Sequence, residues 1–252
     1  MIEISGAADT SLAVEEIRKQ LNSQSIEPNI LNTMEQLPEL LSYSSHDELL
    51  FELLLRAAIV QGSIDLSKSG LKFAIFRKSQ CNEKYWSRTR NGGFTLLPDV
   101  KPGEAVMDIF RNGRLYATEC ATAMVIVYYK ALLSVYGEEK FDQLFPDIYL
   151  MNWHQLDSKI ASAGSMANTT FYLPGDRRYF SNPDVNPETP YLQGENAILL
   201  TNDMYYAHGM GITNANRILK LLNESRKKDA TKSAYLRDGA GRLNFKMLYR
   251  LK

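Results

Sequence analysis

The residue most suited to chemistry is Cys120, which follows Glu119 at the predicted start of a long apolar helix in "YATECATAMVIVYYKALLSVYG". A thiol in the first turn of a helix lies at the positive end of the helix dipole, beside N–H groups that have no partner within the helix. Both favour a thiolate, the reactive form of cysteine. The same N–H groups can stabilise an oxyanion when sulfur attacks a carbonyl, so one place offers nucleophile and anion site together. The competing reading is that Cys120 is a small buried hydrophobe, the common fate of a free cysteine.

Two further groups give the thiol candidate partners. Glu195 precedes "NAILL" and His208 follows "MYYA", two runs that flank Thr201-Asn202-Asp203 and so predict a β-hairpin. A hairpin closed near Asn202 sets Glu195 opposite His208, a carboxylate beside an imidazole. Glu119 introduces a conflict, because a negative charge next to Cys120 opposes the thiolate that the dipole favours. Neighbouring helical positions point about 100° apart, which allows Glu119 to face elsewhere.

The elements that must position these groups follow from capping, periodicity and turn signals. Ser45 and Glu48 have capping-box spacing and open a helix that ends by Gly70. "LKFAIF", Leu71 to Phe76, reads as a strand, and a turn-rich segment containing Cys81 and Trp86 precedes a short helix in "GEAVMDIFRNG". The Cys120 helix is apolar on all sides through Val127 and stops at Gly137, the pattern of a central buried helix. "FPDIYLMNW" is a strand candidate. "FYLPGDRRYFSNPDVNPETPYLQGE" reads as loop with a brief extended "RRYF", and "NANRILKLLNESRKK" as a final amphipathic helix. Residues 1–44 read as an N-terminal arm with one short helix, Leu12 to Leu21, followed by a stretch broken by Pro28 and Pro38. The order predicts an α+β domain spanning residues 1–252.

Lysine plus arginine and aspartate plus glutamate both number 29, so no net charge points to nucleic acid or a membrane surface. The acidic N-terminus lacks the pattern of a signal peptide, and no apolar run is long enough to span a bilayer. The chain therefore reads as made in the cytoplasm. Two cysteines and three scattered histidines offer no metal-ligand spacing, and no phosphate-binding or dinucleotide loop is present, so neither metal nor cofactor is expected. Cys81, His46 and His154 lie without chemical partners nearby in sequence and are read as structural, with His154 beside Trp153 retaining a minor site role.

A helix-borne cysteine followed by a hairpin-borne histidine is the way papain-like folds assemble a site. Here the separation is shorter than in papain, which asks for a compact variant. The blocks "YATECATAMVIVYYKALL", "YLQGENAILL", "YYAHGMGI" and "SRKKDATKSAYL" resemble the protein-glutamine gamma-glutamyltransferases of spore-forming bacilli, the spore-coat transglutaminases. "FELLLR", "KSGLKFAIF" and "YLMNWH" extend the similarity from about Ser45 to the C-terminus. The resemblance implies a calcium-independent transglutaminase of papain-like, NlpC-type fold, with a central cysteine-bearing helix packed on an antiparallel sheet. It implies Cys120 as nucleophile, Glu195 as principal acid/base, Glu119 as a partly redundant base and His208 in support. It also implies a tunnel with aromatic walls to which Phe73 and Trp153 contribute. The substrates would be glutamine donors and lysine acceptors on spore-coat proteins of the sporulating cell. "YLQGEN" departs from the family pattern, whose aromatic would fall at Leu192 or Gln193. Two other readings stay open: a papain-like cysteine hydrolase or deamidase, with His208 as indispensable base, and a non-catalytic coat scaffold.

Overall fold

The computed structural model describes residues 1–7, 9–201 and 203–252. The N-terminal segment is more ordered than its polar composition predicts. β1 (Ile2–Ile4) pairs in parallel with β2 (Leu41–Tyr43), and two helices lie between them, α1 (Thr10–Gln20) and α2 (Glu27–Gln36). Pro28 does not break α2. It stands in the first helical turn, where its missing N–H is no loss. Ile17, Ile30, Leu31 and Met34 are fully buried in a cluster completed by Leu49, Leu53 and Ala57 of α3 (His46–Lys68). The arm is thus a layer packed on one side of α3. That helix opens with the predicted cap: Ser45 Oγ accepts from Glu48 N–H at 3.2 Å, and Glu48 Oε2 accepts from Ser44 N–H at 2.7 Å.

On its other side α3 packs against the cysteine-bearing helix. The chain reaches it through β3 (Lys72–Phe73), β4 (Trp86–Arg88), β5 (Phe94–Leu96), α4 (Pro102–Arg111) and β6 (Ala117–Thr118), and then enters α5 (Cys120–Tyr136). "LKFAIF" contributes only two residues to a strand, and the turn-rich segment after it contains the β4–β5 hairpin. β3 and β6 are parallel, with Phe73 paired to Thr118, which brings Phe73 beside the start of α5. Every residue of α5 from Ala121 to Tyr129 is buried, as its all-round apolar pattern predicts. α6 (Glu138–Leu144) and β7 (Tyr149–Leu150) follow, and β7 joins β4 and β5 in a three-stranded sheet.

The far side of α5 rests on a five-stranded antiparallel sheet in the order β11-β10-β9-β8-β12. Its strands are β8 (Arg177–Ser181), β9 (Gly194–Leu199), β10 (Met204–Ala207), β11 (Gly211–Asn214) and β12 (Tyr235–Leu236). Alternation along β9 and β10 turns Ile198 and Tyr206 to the core shared with α5 and Ala197, Tyr205 and Ala207 to a second cluster under α7 (Ala215–Glu224). α8 (Phe245–Tyr249) returns to α3. The fold is therefore mixed α and β, with helices stacked on an antiparallel sheet.

The predicted β9–β10 hairpin forms, but one residue out of the expected register. Ala207 pairs with Ala197, so the next step sets His208 against Asn196, not Glu195. A shift of one residue exchanges the two faces of a strand. The expectation rested on a turn centred at Asn202, which lies outside the described residues.

The start of β8 is fixed by a buried ion cluster. Asp176, with no exposed surface, accepts from Arg56 of α3 at 2.8 Å, from Arg242 at 2.7 and 2.8 Å, and from the Leu173 N–H at 2.9 Å. Both guanidinium groups hold its carboxyl below the usual carboxylate range against the opposing effect of burial. Removing one member of such a cluster leaves uncompensated charge in the interior. Asp176→Ala should lower unfolding free energy by about 3–5 kcal/mol, read as a fall in the urea midpoint, whereas removing the exposed Lys220–Glu224 pair should change it little.

Candidate active site

Cys120 is the first residue of α5 and Glu119 is its N-cap, with extended backbone. The Glu119 carboxylate folds back over the helix start: Oε2 accepts from Ala121 N–H at 2.7 Å, and Oε1 accepts from Thr122 N–H and Oγ1, both at 2.6 Å. Two of the N–H groups expected to serve an oxyanion are therefore already taken by Glu119. Thr122 Oγ1 accepts in turn from Asn152 N–H at 2.8 Å, and Asn152, in left-handed conformation with φ 52°, leads into Trp153. Glu119, Thr122 and Asn152 thus hang the Trp153 loop on the first turn of α5.

Cys120 is half-buried, and its thiol is pushed well above the ordinary range by burial, then by Glu195, then by Glu119. The expected effect of the dipole is outweighed, and the thiol is less acidic than its place at a helix N-terminus suggests. The opposing influence comes from Asn196. Its Nδ2 donates to Cys120 Sγ at 3.5 Å, and its main-chain N–H also acts to lower the thiol.

Glu195 is the second residue of β9 and is 3% exposed. Its Oε1 is buried without a hydrogen-bond partner among the described residues. Burial first and the Glu119 charge second push its carboxyl well above the carboxylate range, while the His208 main-chain N–H pulls the other way. Burial and the charge of Glu119 thus raise the pKa of both Cys120 and Glu195, and Glu195 adds to the rise at the thiol.

His208 stands apart from this pair. Its Nε2 lies 3.2 Å from both the Lys72 and Thr118 carbonyls, so that nitrogen carries the proton, and Nδ1 accepts from the Tyr206 hydroxyl at 3.1 Å. Both ring nitrogens are committed, and the imidazole ties β10 to the β3–β6 pair that feeds α5. Burial lowers its pKa to about 4, keeping it neutral near pH 7.

Aromatic rings surround this region. Phe73 lies 5.9 Å from Tyr191 and 6.1 Å from His208, ring centre to ring centre. Its fit depends on Gly209, whose φ of +93° turns the chain after His208 and where a Cβ would lie 3.1 Å from Phe73 Cβ. Tyr191, 44% exposed, supplies an aromatic one residue before the position expected from "YLQGEN". Trp153 lies under Arg177, whose guanidinium carbon is 4.3 Å from the ring centre. An open groove of about 950 Å³ lined by Leu54, Ile64 and Val135 lies toward the C-terminal end of α5, remote from the thiol.

Sequence reading missed Asn196, Arg177 and Tyr191. The available signal for the first was a lone amide in the apolar run "NAILL", and for the second a paired "RR" entering a strand.

The model of the protein-glutamine gamma-glutamyltransferase family matches residues 1–252. The chain belongs to this family. It is 45% identical over 220 residues to the Bacillus mycoides protein-glutamine gamma-glutamyltransferase, covering 87% of this chain and 78% of that one. The Bacillus anthracis protein of the same name is 44% identical over 222 residues with the same coverage. The structure of the Geobacillus stearothermophilus transglutaminase without its C-terminal extension aligns with TM-score 0.75 and 48% identity, over 81% of this chain and 96% of that one. As a member of the family the protein is an acyltransferase acting on protein substrates.

His208 carries a pH signature of its own. Its pKa falls from 6.5 unfolded to about 4 folded, so below pH 6.5 the unfolded chain binds the extra proton. This contribution, on the order of 3 kcal/mol, is complete above pH 6.5 and is lost as pH falls through 4. Urea midpoints measured from pH 7 to pH 4 should decline, and His208→Gln should remove that part of the decline.

Proposed function

We propose that this acyltransferase is a calcium-independent transglutaminase of single-domain, papain-like, NlpC-type architecture, joining glutamine side chains to lysine amines through a thioester on Cys120. The observation that carries the reading is the half-buried Cys120 at a helix N-terminus, with the buried carboxyl of Glu195, whose Oε1 has no partner among the described residues, acting on it.

In the first step Glu195 takes the thiol proton as Cys120 sulfur attacks the carboxamide carbon. The C–N bond breaks, and Glu195 returns the proton to the departing nitrogen, releasing ammonia and leaving the acyl group on sulfur. In the second, the lysine ammonium gives up a proton to solvent at the mouth of the site and the free amine attacks the thioester. Glu195 takes the remaining excess proton and passes it to the departing sulfur, so isopeptide and free thiol form together. A carboxyl displaced upward suits both directions of transfer, because its acidity lies nearer those of its partners. A carboxylate also attracts the incoming ammonium.

Glu119 takes a lesser part as redundant base, since both of its oxygens already cap α5. His208 supports the site by holding β6 against β10. Phe73 and Trp153, with Tyr191, form aromatic walls of a tunnel that admits the apolar lysine stem and restricts water, favouring transfer over hydrolysis. By resemblance the substrates are spore-coat proteins and the place of action is the coat of the forming spore. The hydrolase reading, which needs His208 as base to the thiol, is disfavoured by the commitment of both imidazole nitrogens elsewhere.

Incorporation of a fluorescent primary amine into casein, followed beside ammonia release, tests the reading. Incorporation should persist in EDTA and vanish in Cys120→Ala; ammonia without incorporation would make the protein a deamidase. Glu195→Gln should reduce transfer by roughly 10²- to 10⁴-fold. Glu119→Gln should cost less than Glu195→Gln, and a double variant no worse than Glu195→Gln would remove the redundant base from the scheme. Phe73→Ala and Trp153→Ala should raise the ratio of glutamate formed to amine incorporated, and an unchanged ratio would exclude them as walls.

A further inference from the structure

The only side-chain hydrogen bond to the Cys120 sulfur among the described residues comes from an amide, and that amide has a fixed orientation. Asn196 sits inside β9 at 6% exposure, with Nδ2 donating to Sγ at 3.5 Å and Oδ1 accepting from Arg177 Nη1 at 2.8 Å. A guanidinium has donors and no acceptor, so it dictates which end of the amide faces it and leaves the NH₂ end turned to the sulfur.

Arg177 is itself held on several sides. It is 2% exposed, and its Nη2 donates to the Ala163 and Ser165 carbonyls at 2.9 and 3.0 Å. Its backbone pairs with Gly241 in both directions, at 2.9 and 3.0 Å, and its guanidinium lies over Trp153. A Cβ at residue 241 would stand 2.7 Å from Arg177 Nε and Nη2, so glycine is what leaves room for the group. No acidic partner of Arg177 occurs among the described ion pairs. Its charge therefore acts through a polarised amide toward the position where the thiolate forms.

We propose that Asn196 is a catalytic residue that holds the Cys120 thiolate through its side-chain NH₂, and that Arg177 is its positioning residue. The inference rests on Cys120 being the nucleophile. The pair supplies here what an imidazolium supplies in a cysteine–histidine site, since His208 is neutral and engaged elsewhere. It also answers an electrostatic need: Glu195 from β9 and Glu119 from the helix cap both oppose charge on the sulfur, while Arg177 and Tyr179 from β8 in turn feel the Cys120 charge, and of these four groups only Arg177 is positive. When the thioester forms, sulfur loses its charge, and the amide ceases to hold it and no longer opposes the acyl group on that atom.

The test is the pH dependence of Cys120 alkylation by iodoacetamide, followed by peptide mass mapping with Cys81 as internal reference. Asn196→Ala should slow Cys120 alkylation below its midpoint about tenfold, moving the midpoint up by about one pH unit. Asn196→Asp, which replaces the donor with a charge of the same shape, should move it further. Arg177→Lys should move it less than Asn196→Ala and lower kcat for amine incorporation more than it raises KM. Cys81 should be unaffected throughout. Thermal melts identify any variant that fails to fold, and Asn196→Ser supplies a small polar replacement for that case. An unmoved Cys120 midpoint in folded Asn196 variants, with the wild type active, would overturn the role of Asn196 and leave the nucleophile intact. Transfer surviving in Cys120→Ala would overturn both.

Discussion

The site depends on an electrostatic conflict at the start of one buried helix. An α-helix N-terminus normally favours a thiolate through its dipole and free N–H groups. In α5 the cap is itself a carboxylate, which consumes the Ala121 and Thr122 N–H groups, and a second carboxylate is buried nearby. The resting thiol is consequently less acidic than its position suggests. That is compatible with the proposed transfer, in which the site receives an ammonium ion and gains from negative surroundings, and the sulfur needs its charge only while it attacks. Burial and the Glu119 charge raise the pKa of both Cys120 and Glu195, so each holds its proton more firmly than in water.

The surrounding architecture can be understood as the means of holding that arrangement. β3 and β6 carry Phe73 and the approach to α5 side by side, and His208 joins them to β10 through two carbonyls. The Asp176 cluster ties β8 to α3, so Arg177, the next residue, begins its strand in a fixed place. One face of β9 then meets α5, with Asn196 at the nucleophile end and Ile198 farther into the core. Loss of definition in the ion cluster or the imidazole bridge would reach the sulfur through these connections without any direct contact.

Some of this was legible from residue order. Cap chemistry located α3, apolar pattern located α5, and turn residues located the β9–β10 hairpin. The positions of Cys120, Glu119 and Glu195 followed from those elements. What escaped was decided by tertiary context. Counting from a turn gave a hairpin register wrong by one, and that error hid Asn196, since it paired the histidine with the glutamate instead of the amide. The α2 helix was missed because Pro28 signals a break in an interior and tolerance in a first turn, and only the boundary tells them apart. The commitment of His208 to two carbonyls could not be read at all, because its partners Lys72 and Thr118 lie far away in the chain and present main-chain atoms common to every residue.

The Arg177 stack on Trp153 joins two requirements that are separate in the chemistry. In the proposed scheme one is a wall that limits water around a thioester, and the other is a donor that holds charge on sulfur before the thioester exists. A single guanidinium sits over the indole and donates to Asn196. Guanidinium groups suit both contacts, being planar, permanently charged and more weakly hydrated than an ammonium. Lysine would retain the charge but lose the stacking plane and the fork that also binds Ala163 and Ser165. The placing of Trp153 and the orientation of the amide that faces Cys120 are therefore coupled through one side chain. A change that tilts Trp153 acts on the ordering of Asn196 as well, and in the proposed scheme on the space open to the acceptor amine.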